Sequence, residues 1–228
     1  MITSQTVKEY ANALGADLCG IASVDRFADA PQGFHPKDVY PGAKSVISLA
    51  CRVPSTSLDA KSYIPYTAIE DLVLTKVSQI AVSITLRVED IGFHAVMIPS
   101  VPYDYWDEET LTGKGILSLK HLASKAGLGF IGKNALLCSP RYGNLIRLGA
   151  VITDVELQPD EIVSTGYCPD SCKLCIKSCP VGAIGENGEV QQAKCRPHSE
   201  IKNKRGVDVT VCFECRRVCP NRTGVRRK

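Results

Sequence analysis

Eight of the eleven cysteines in this chain of 228 residues fall after residue 160, in two runs that share one spacing. The first is Cys168-x3-Cys172-x2-Cys175-x3-Cys179-Pro180. The second is Cys195, then Cys212-x2-Cys215-x3-Cys219-Pro220. Thiolate sulfur is the soft donor that iron–sulfur clusters and zinc select. In chains with two iron–sulfur clusters, the cysteine just before proline in one run ligates the other cluster. On that logic Cys168, Cys172, Cys175 and Cys219 hold one 4Fe–4S cluster, and Cys212, Cys215, Cys179 and Cys195 hold another. The proline after Cys179 or Cys219 has no N–H and leaves the cysteine at a turn. Zinc is the rival, since paired C-x2-C motifs also build four-thiolate zinc sites. It leaves the two C-x3-C-P endings unexplained. The opening x3 spacing, where x2 is usual, makes Cys168 the least regular ligand, and no other cysteine is at hand locally to replace it.

The rest of the composition excludes more than it indicates. A net charge of +3 and a pI near 8.3 do not mark a nucleic-acid binder, which would carry a dense basic stripe. No apolar run approaches the roughly 20 residues of a bilayer span. The N-terminal MITSQTVKEYANALG lacks an apolar core with a cleavage site, so no export signal is expected and a cytoplasmic location is. Thiols there stay reduced, which favours metal ligation over a disulfide framework.

Before the cysteine runs, hydrophobic periodicity alternates between helix and strand. Helices are expected over Ser4–Leu14, about Tyr66–Ile91 and Ile116–Ala126, with Gly15 and Gly92 as stops. The long helix would turn Ile69, Leu72, Val73, Val77, Ile80, Ile84, Val88 and Ile91 to one face. Strands are expected over Asp17–Ala22, Lys44–Ala50, Phe93–Ile98 and Leu145–Ile152. Taking turns in this way, the elements indicate a layered α/β domain over 1–160, followed by a small cysteine-rich domain over 161–228. The break falls in the polar stretch Asp154–Thr165. Strand order and direction are not legible.

Residues 125–154 read KAGLGFIGKNALLCSPRYGNLIRLGAVITD, with five glycines. Such backbone allows close approach of a flat or bulky ligand, and equally serves a structural turn. GLGFIG fits G-x-G-x-x-G but follows a helix, where a dinucleotide fingerprint would follow a strand. Cys19 and Cys51 read as buried small hydrophobes. Cys138 does too, with a site role open because it follows the glycine loop. His35, His94, His121 and His198 show no metal-ligand spacing. Tyr103, Tyr105 and Trp106 either line a pocket or pack on the core. Asp104, Asp107, Glu108 and Glu109 read as a surface acidic turn. Arg216, Arg217, Arg222, Arg226, Arg227 and Lys228 read as a solvated, frayed terminus, with an acidic redox partner or RNA as the alternative.

The segment AGLGFIGKNALL…YGNLIRLGAVITD, the two cysteine runs, and GADLCGIA and PGAKSVISLA resemble epoxyqueuosine reductases and the related reductive dehalogenases. The resemblance implies a nitroreductase-like α/β domain holding cobalamin, followed by a bacterial dicluster ferredoxin-like domain. It implies a cobalamin-dependent iron–sulfur reductase, in which two 4Fe–4S clusters relay electrons to reduce cob(II)alamin to nucleophilic cob(I)alamin. Corrin contacts would fall at Asn134, Leu137 and Leu148, and beside the second cluster at Pro197, Cys212 and Phe213. The electron donor would be a low-potential ferredoxin or flavodoxin. Two departures stand out. Gly113, in LTGKG, occupies the position of the family's proton-donating aspartate, leaving the catalytic acid unknown. The relatives' C-terminal helical domain has no counterpart, so tRNA is not expected as substrate and the substrate is unknown. The alternative is a ferredoxin-like electron carrier or partner-docking protein with no substrate chemistry of its own.

Overall fold

The computed structural model describes residues 2–101, 103–163 and 168–225. Its first elements are α1 (Ser4–Ala13), β1 (Leu18–Ser23), α2 (Pro36–Val39), β2 (Ser45–Arg52), α3 (Ile64–Glu89) and β3 (Ala95–Ile98). Then come a hairpin of β4 (Tyr105–Asp107) and β5 (Thr112–Lys114), α4 (Leu119–Lys125), a short pair β6 (Phe130–Ile131) and β7 (Leu137–Cys138), and β8 (Ile146–Thr153). The cysteine-rich part contains α5 (Leu174–Lys177), α6 (Gln192–Ser199), a hairpin of β9 (Glu200–Lys202) and β10 (Asp208–Thr210), and α7 (Glu214–Arg217).

Local chemistry sets the helix ends. Thr3 caps α1 by accepting from the Thr6 N–H, and Thr6 returns the bond in a capping box. Gly15, at φ +94°, ends the helix in a conformation that other residues rarely adopt. Gly92 does the same two residues after the Asp90 cap of α3.

The central sheet runs β1-β2-β8-β3, and every pairing is antiparallel. β2 is buried over seven of its eight residues because it is covered on both faces. Ile47, Leu49 and Cys51 join α1 and α3 in one core, together with Ile21 and Val151. Val46 points the other way and packs with Ile98, Ile152 and Leu122 of α4. The layers are therefore α1 and α3, the sheet, and α4. Cys51 lies in the first core as a buried small side chain; Cys19, expected to be buried as well, is only partly so and packs against that core, and burial still pushes its thiol up to about 12.

The expected helices and strands are present with ends shifted by a few residues. The expected apolar face of α3 is corrected. Val77, Ile80, Ile84 and Val88 are buried, but Leu72 is 69% exposed and Ile91 is 41% exposed. The buried stripe runs instead through Tyr66, Glu70 and Ala81. The stretch after Asp154 is strapped to the sheet rather than loose. Asp160 accepts from the Ile21 N–H and pairs with Lys8, while Arg26 donates to the Asp160 carbonyl. Residues 164–167, at the expected domain break, lie outside the described residues. Among the described residues no helix is long and apolar enough to cross a membrane.

The two cysteine runs fold alike. Each places its C-x2-C across the start of a four-residue helix, α5 or α7. In both, the cap N–H returns to the carbonyls two and four residues back, and the next residue is the cysteine before proline. The two helices pack against each other.

Ile84→Ala, at a position 2% exposed, is expected to destabilise the protein by about 2–5 kcal/mol in urea unfolding. Leu72→Ala, on the same helix, should stay within about 0.5 kcal/mol.

Candidate metal centre and adjoining cavity

Cys168, Cys172, Cys175 and Cys219 line one cavity of about 130 Å³. Three come from the first run and one from the second, across the contact between α5 and α7. None of the eleven cysteines is in a disulfide. A single zinc ion would draw four sulfurs to about 2.3 Å from one point. Among the described residues no three His, Cys, Asp or Glu side chains close on a single ion in this way. Sulfurs set around a cavity suit a polynuclear cluster better than one ion. Burial raises the Cys175 thiol, as do its neighbours Cys168, Cys219 and Cys172, so cation-free thiolates would repel one another here.

A fifth thiol, Cys138, lies in the same wall. It is 3% exposed, with its Sγ 3.4 Å from the Asn221 carbonyl oxygen. The Cys219 sulfur beside it and burial push the Cys138 thiol up, while the Cys138 thiol brings Cys219 down. β7 carries Cys138 to the side of the first run from 30 positions away in sequence, and so takes up the site role left open for it. Only the glycine loop beside Cys138 hinted at this.

The other four cysteines gather around α6 and α7. Burial raises Cys212, and Cys195 and Cys179 add to the rise. Burial pushes Cys215 up to about 11, with Cys195, Cys212 and Cys175 contributing against Arg216. The Ala183 N–H donates to the Cys179 sulfur over 3.2 Å.

The glycine-rich segment holds this region against the core. Lys133 Nζ donates to the carbonyls of Pro169, Asp170 and Cys172, at 2.9, 2.9 and 3.2 Å. Asn134 Nδ2 donates to the Cys215 carbonyl over 3.1 Å, so adjacent residues grip both runs. Gly143, at φ +65°, has no room for a Cβ because the Asn221 and Arg222 backbone lies against it. Here the glycines serve chain-to-chain packing. GLGFIG runs from α4 into β6, the reverse of a dinucleotide fingerprint.

A larger cavity of about 520 Å³ adjoins the first. Leu137 and Leu148 line it, as does Ala135, whose φ of +56° is unusual for a residue with a Cβ. Asn144 lines both cavities. Its amide lies near enough to the Cys219 sulfur to favour the thiolate, yet neither amide atom completes a hydrogen bond. Of the other expected corrin contacts, Asn134 lines the four-cysteine cavity, Pro197 lies exposed within α6, and Cys212 sits with the second thiol group. Phe213 packs its ring 4.5 Å from that of Tyr66.

Gly113 lines the larger cavity, and its backbone pairs with the Gln192 amide at 3.0 and 3.2 Å. A Cβ there would stand 3.0 Å from the Tyr103 ring and 3.1 Å from Trp106. These two rings stack 5.8 Å apart, and the Arg196 guanidinium lies over both. Tyr103 reaches the cavity, while Tyr105 is exposed. Asp107 caps its turn by accepting from the Glu109 and Thr110 N–H groups, and Asp104, Glu108 and Glu109 are exposed beside it. The histidines are scattered: His35 caps α2, His94 pairs with Asp154, His121 bonds Ser118, and His198 is exposed. The solvated-terminus reading is corrected at Arg216, which is 9% exposed and donates to the Asn144 carbonyl. Arg217 pairs with Glu214, Arg222 approaches Asp59, and Arg226, Arg227 and Lys228 lie outside the described residues.

Fold and site together define a mixed α/β protein with a thiol-lined centre beside a recessed cavity. Its curated homologues are named epoxyqueuosine reductase. That of Bacillus cereus is 27% identical over 252 residues, covering 97% of this chain and 65% of the relative. The chain thus spans just under two thirds of that protein's length. No family model matches. An epoxyqueuosine reductase structure from Streptococcus thermophilus aligns with TM-score 0.68 and 21% identity, over 97% of this chain and 66% of that one. A catabolic reductive dehalogenase aligns with TM-score 0.73 and 17% identity, over 97% of this chain and 32% of its own. These matches show the fold. Another epoxyqueuosine reductase, at TM-score 0.64, was solved with an epoxyqueuosine-modified tRNA stem loop, which stands against the expectation that tRNA is no partner.

Lys133→Met removes three donors from carbonyls of the first cysteine run. Hydrogen exchange should quicken across residues 168–179, with a stability loss of about 1–3 kcal/mol.

Proposed function

We propose that the chain is a reductase of the epoxyqueuosine reductase type, working with two 4Fe–4S clusters and cobalamin. The observation that carries this reading is the cavity on which Cys168, Cys172, Cys175 and Cys219 converge from two distant runs. In this proposal Cys212, Cys215, Cys179 and Cys195 hold the second cluster. Residues 1–160 act as the cofactor-binding unit and 161–228 as the ferredoxin-like unit. A reductive dehalogenase of the same fold, at TM-score 0.70, is described by a mechanism for B12-dependent dehalogenation.

The larger cavity fits a corrinoid on two grounds. Its walls include the apolar side chains of Leu117, Leu136, Leu137, Ile146 and Leu148. It also leaves the Asn144 amide without a hydrogen-bond partner at 1% exposure, which buried amides rarely tolerate. Bound there, cobalamin would supply a strongly reducing, nucleophilic cobalt centre. The chain's own part is positional. Lys133 and Asn134 hold the cysteine runs against the cavity wall, Leu137 and Leu148 exclude water, and Asn144 lies between the two cavities. A low-potential ferredoxin or flavodoxin would be the electron source.

The second reading, a ferredoxin-like electron carrier, draws on Gly113. Among the described residues no carboxylate lines the larger cavity, so none stands there to serve as proton donor. Anaerobic reconstitution with iron, sulfide and cobalamin separates the two. The reductase reading expects about eight iron atoms per chain and corrinoid absorption co-eluting with protein. Cluster absorption with no corrinoid favours the carrier, and about two zinc ions with no iron would sink both. Cys219→Ala should lose about half of the iron, whereas Cys138→Ala should keep all of it.

A further inference from the structure

Among the described residues, the larger cavity is lined by five basic side chains, Lys114, Lys120, Arg147, Arg196 and Arg216, and by no carboxylate. Two of them have acidic partners outside the lining: Arg147 pairs with Glu70, and Arg196 lies 3.6 Å from Glu200. Among the described residues no ion pair engages Lys114, Lys120 or Arg216. Lys114 is exposed over the Tyr105 ring, whereas Lys120, Arg147 and Arg216 gather in the recess, where each loses water and repels the others. Both costs register here. Burial pulls Lys120 down, and burial together with neighbouring Arg216 pulls Arg147 down to about 10.

Unused hydrogen-bonding groups point the same way. Arg147 Nε is a buried donor with no acceptor, and the buried Asn144 amide, beside the Cys219 sulfur, completes no hydrogen bond. Buried polar groups in native proteins are generally satisfied, by protein, water or ligand. Cluster thiolates could balance Arg216, which follows Cys215 directly. They do not account for Lys114 on β5 or Lys120 on α4, elements that carry no cysteine. A nucleic-acid backbone is read by cations on an open stripe. Lys120, Arg147 and Arg216 lie within a concavity, with Arg216 only 9% exposed, and Lys114 alone is exposed. The same cavity offers Phe34, Val101, Leu117 and Leu148 to an apolar body.

We infer that this cavity binds a small molecule carrying a carboxylate or phosphate on an apolar body, and that this is the substrate class of the site. The inference rests on the cavity being the reaction chamber of the proposed reductase.

Calorimetric titration of cluster-loaded protein, with and without cobalamin, tests it. The probes are phenyl phosphate, benzoate and benzamide, the last a neutral match in shape to benzoate. One saturable site per chain is expected for the two anions, with benzamide weaker by about tenfold or more. Lys114→Gln with Lys120→Gln should cut anion affinity by about tenfold, leaving benzamide binding and iron content unchanged. Arg147→Lys, which keeps the charge but loses the fork geometry, should weaken the anions less. Equal affinity for benzoate and benzamide, or anion binding indifferent to the lysine substitutions, overturns the inference. So does a tRNA stem loop that displaces phenyl phosphate and is itself lost in the lysine variant, since the cations would then serve RNA. Anion binding without corrinoid binding supports the anion site while removing the cobalamin reading.

Discussion

The grip of Lys133 and Asn134 on the two cysteine runs is the interaction on which the site depends. One ammonium satisfies three carbonyls of the first run, and the neighbouring amide takes a carbonyl of the second. Without that grip, two four-residue helices would have little to hold them in place. Isolated helices of such length are not stable in water. The Gly143 contact with the Asn221–Arg222 backbone works alongside it. The glycine loop is thus the seat of the C-terminal segment and also the wall between two cavities.

Beneath the loop, the sheet supplies rigidity. β8 pairs with β2 over eight residues and with β3 over four, and it is packed on both faces. The glycine loop feeds directly into β8, so Asn144, Arg147 and Leu148 are delivered to the cavity from a fixed strand and its leading turn. Sites built on such elements hold their geometry better than sites on free loops. The opposite wall comes from the β4–β5 hairpin and α6, joined by the Gly113–Gln192 bonds and by Arg196 over the Tyr103 and Trp106 rings. A carboxylate side chain at position 113 would have to displace those rings, so the glycine there and the aromatic pair form one arrangement.

Much of this was legible in sequence, for identifiable reasons. The pairing of Cys219 with the first run follows from spacing alone, because C-x2-C and C-x3-C-P are local geometry repeated twice. Helix α1 was legible through its cap and glycine stop. Leu72 misled, because helical periodicity marks a stripe without saying how much of it a neighbouring layer will cover. Cys138 and Arg216 misled for a related reason. Each looked ordinary in its own segment, and only contact with a distant segment gave it a role.

The sequence by itself determined the grouping of the cysteines into two like-spaced runs, the alternation of helix and strand, and the glycines that permit close packing. These depend on residue type and on spacings of a few residues. Tertiary structure alone decided that β8 enters the middle of an antiparallel sheet, that a fifth thiol stands beside Cys219, and that five cations line one cavity with no acid among its described lining residues. Those facts join residues far apart along the chain, and their proximity follows from how the layers and the C-terminal segment pack.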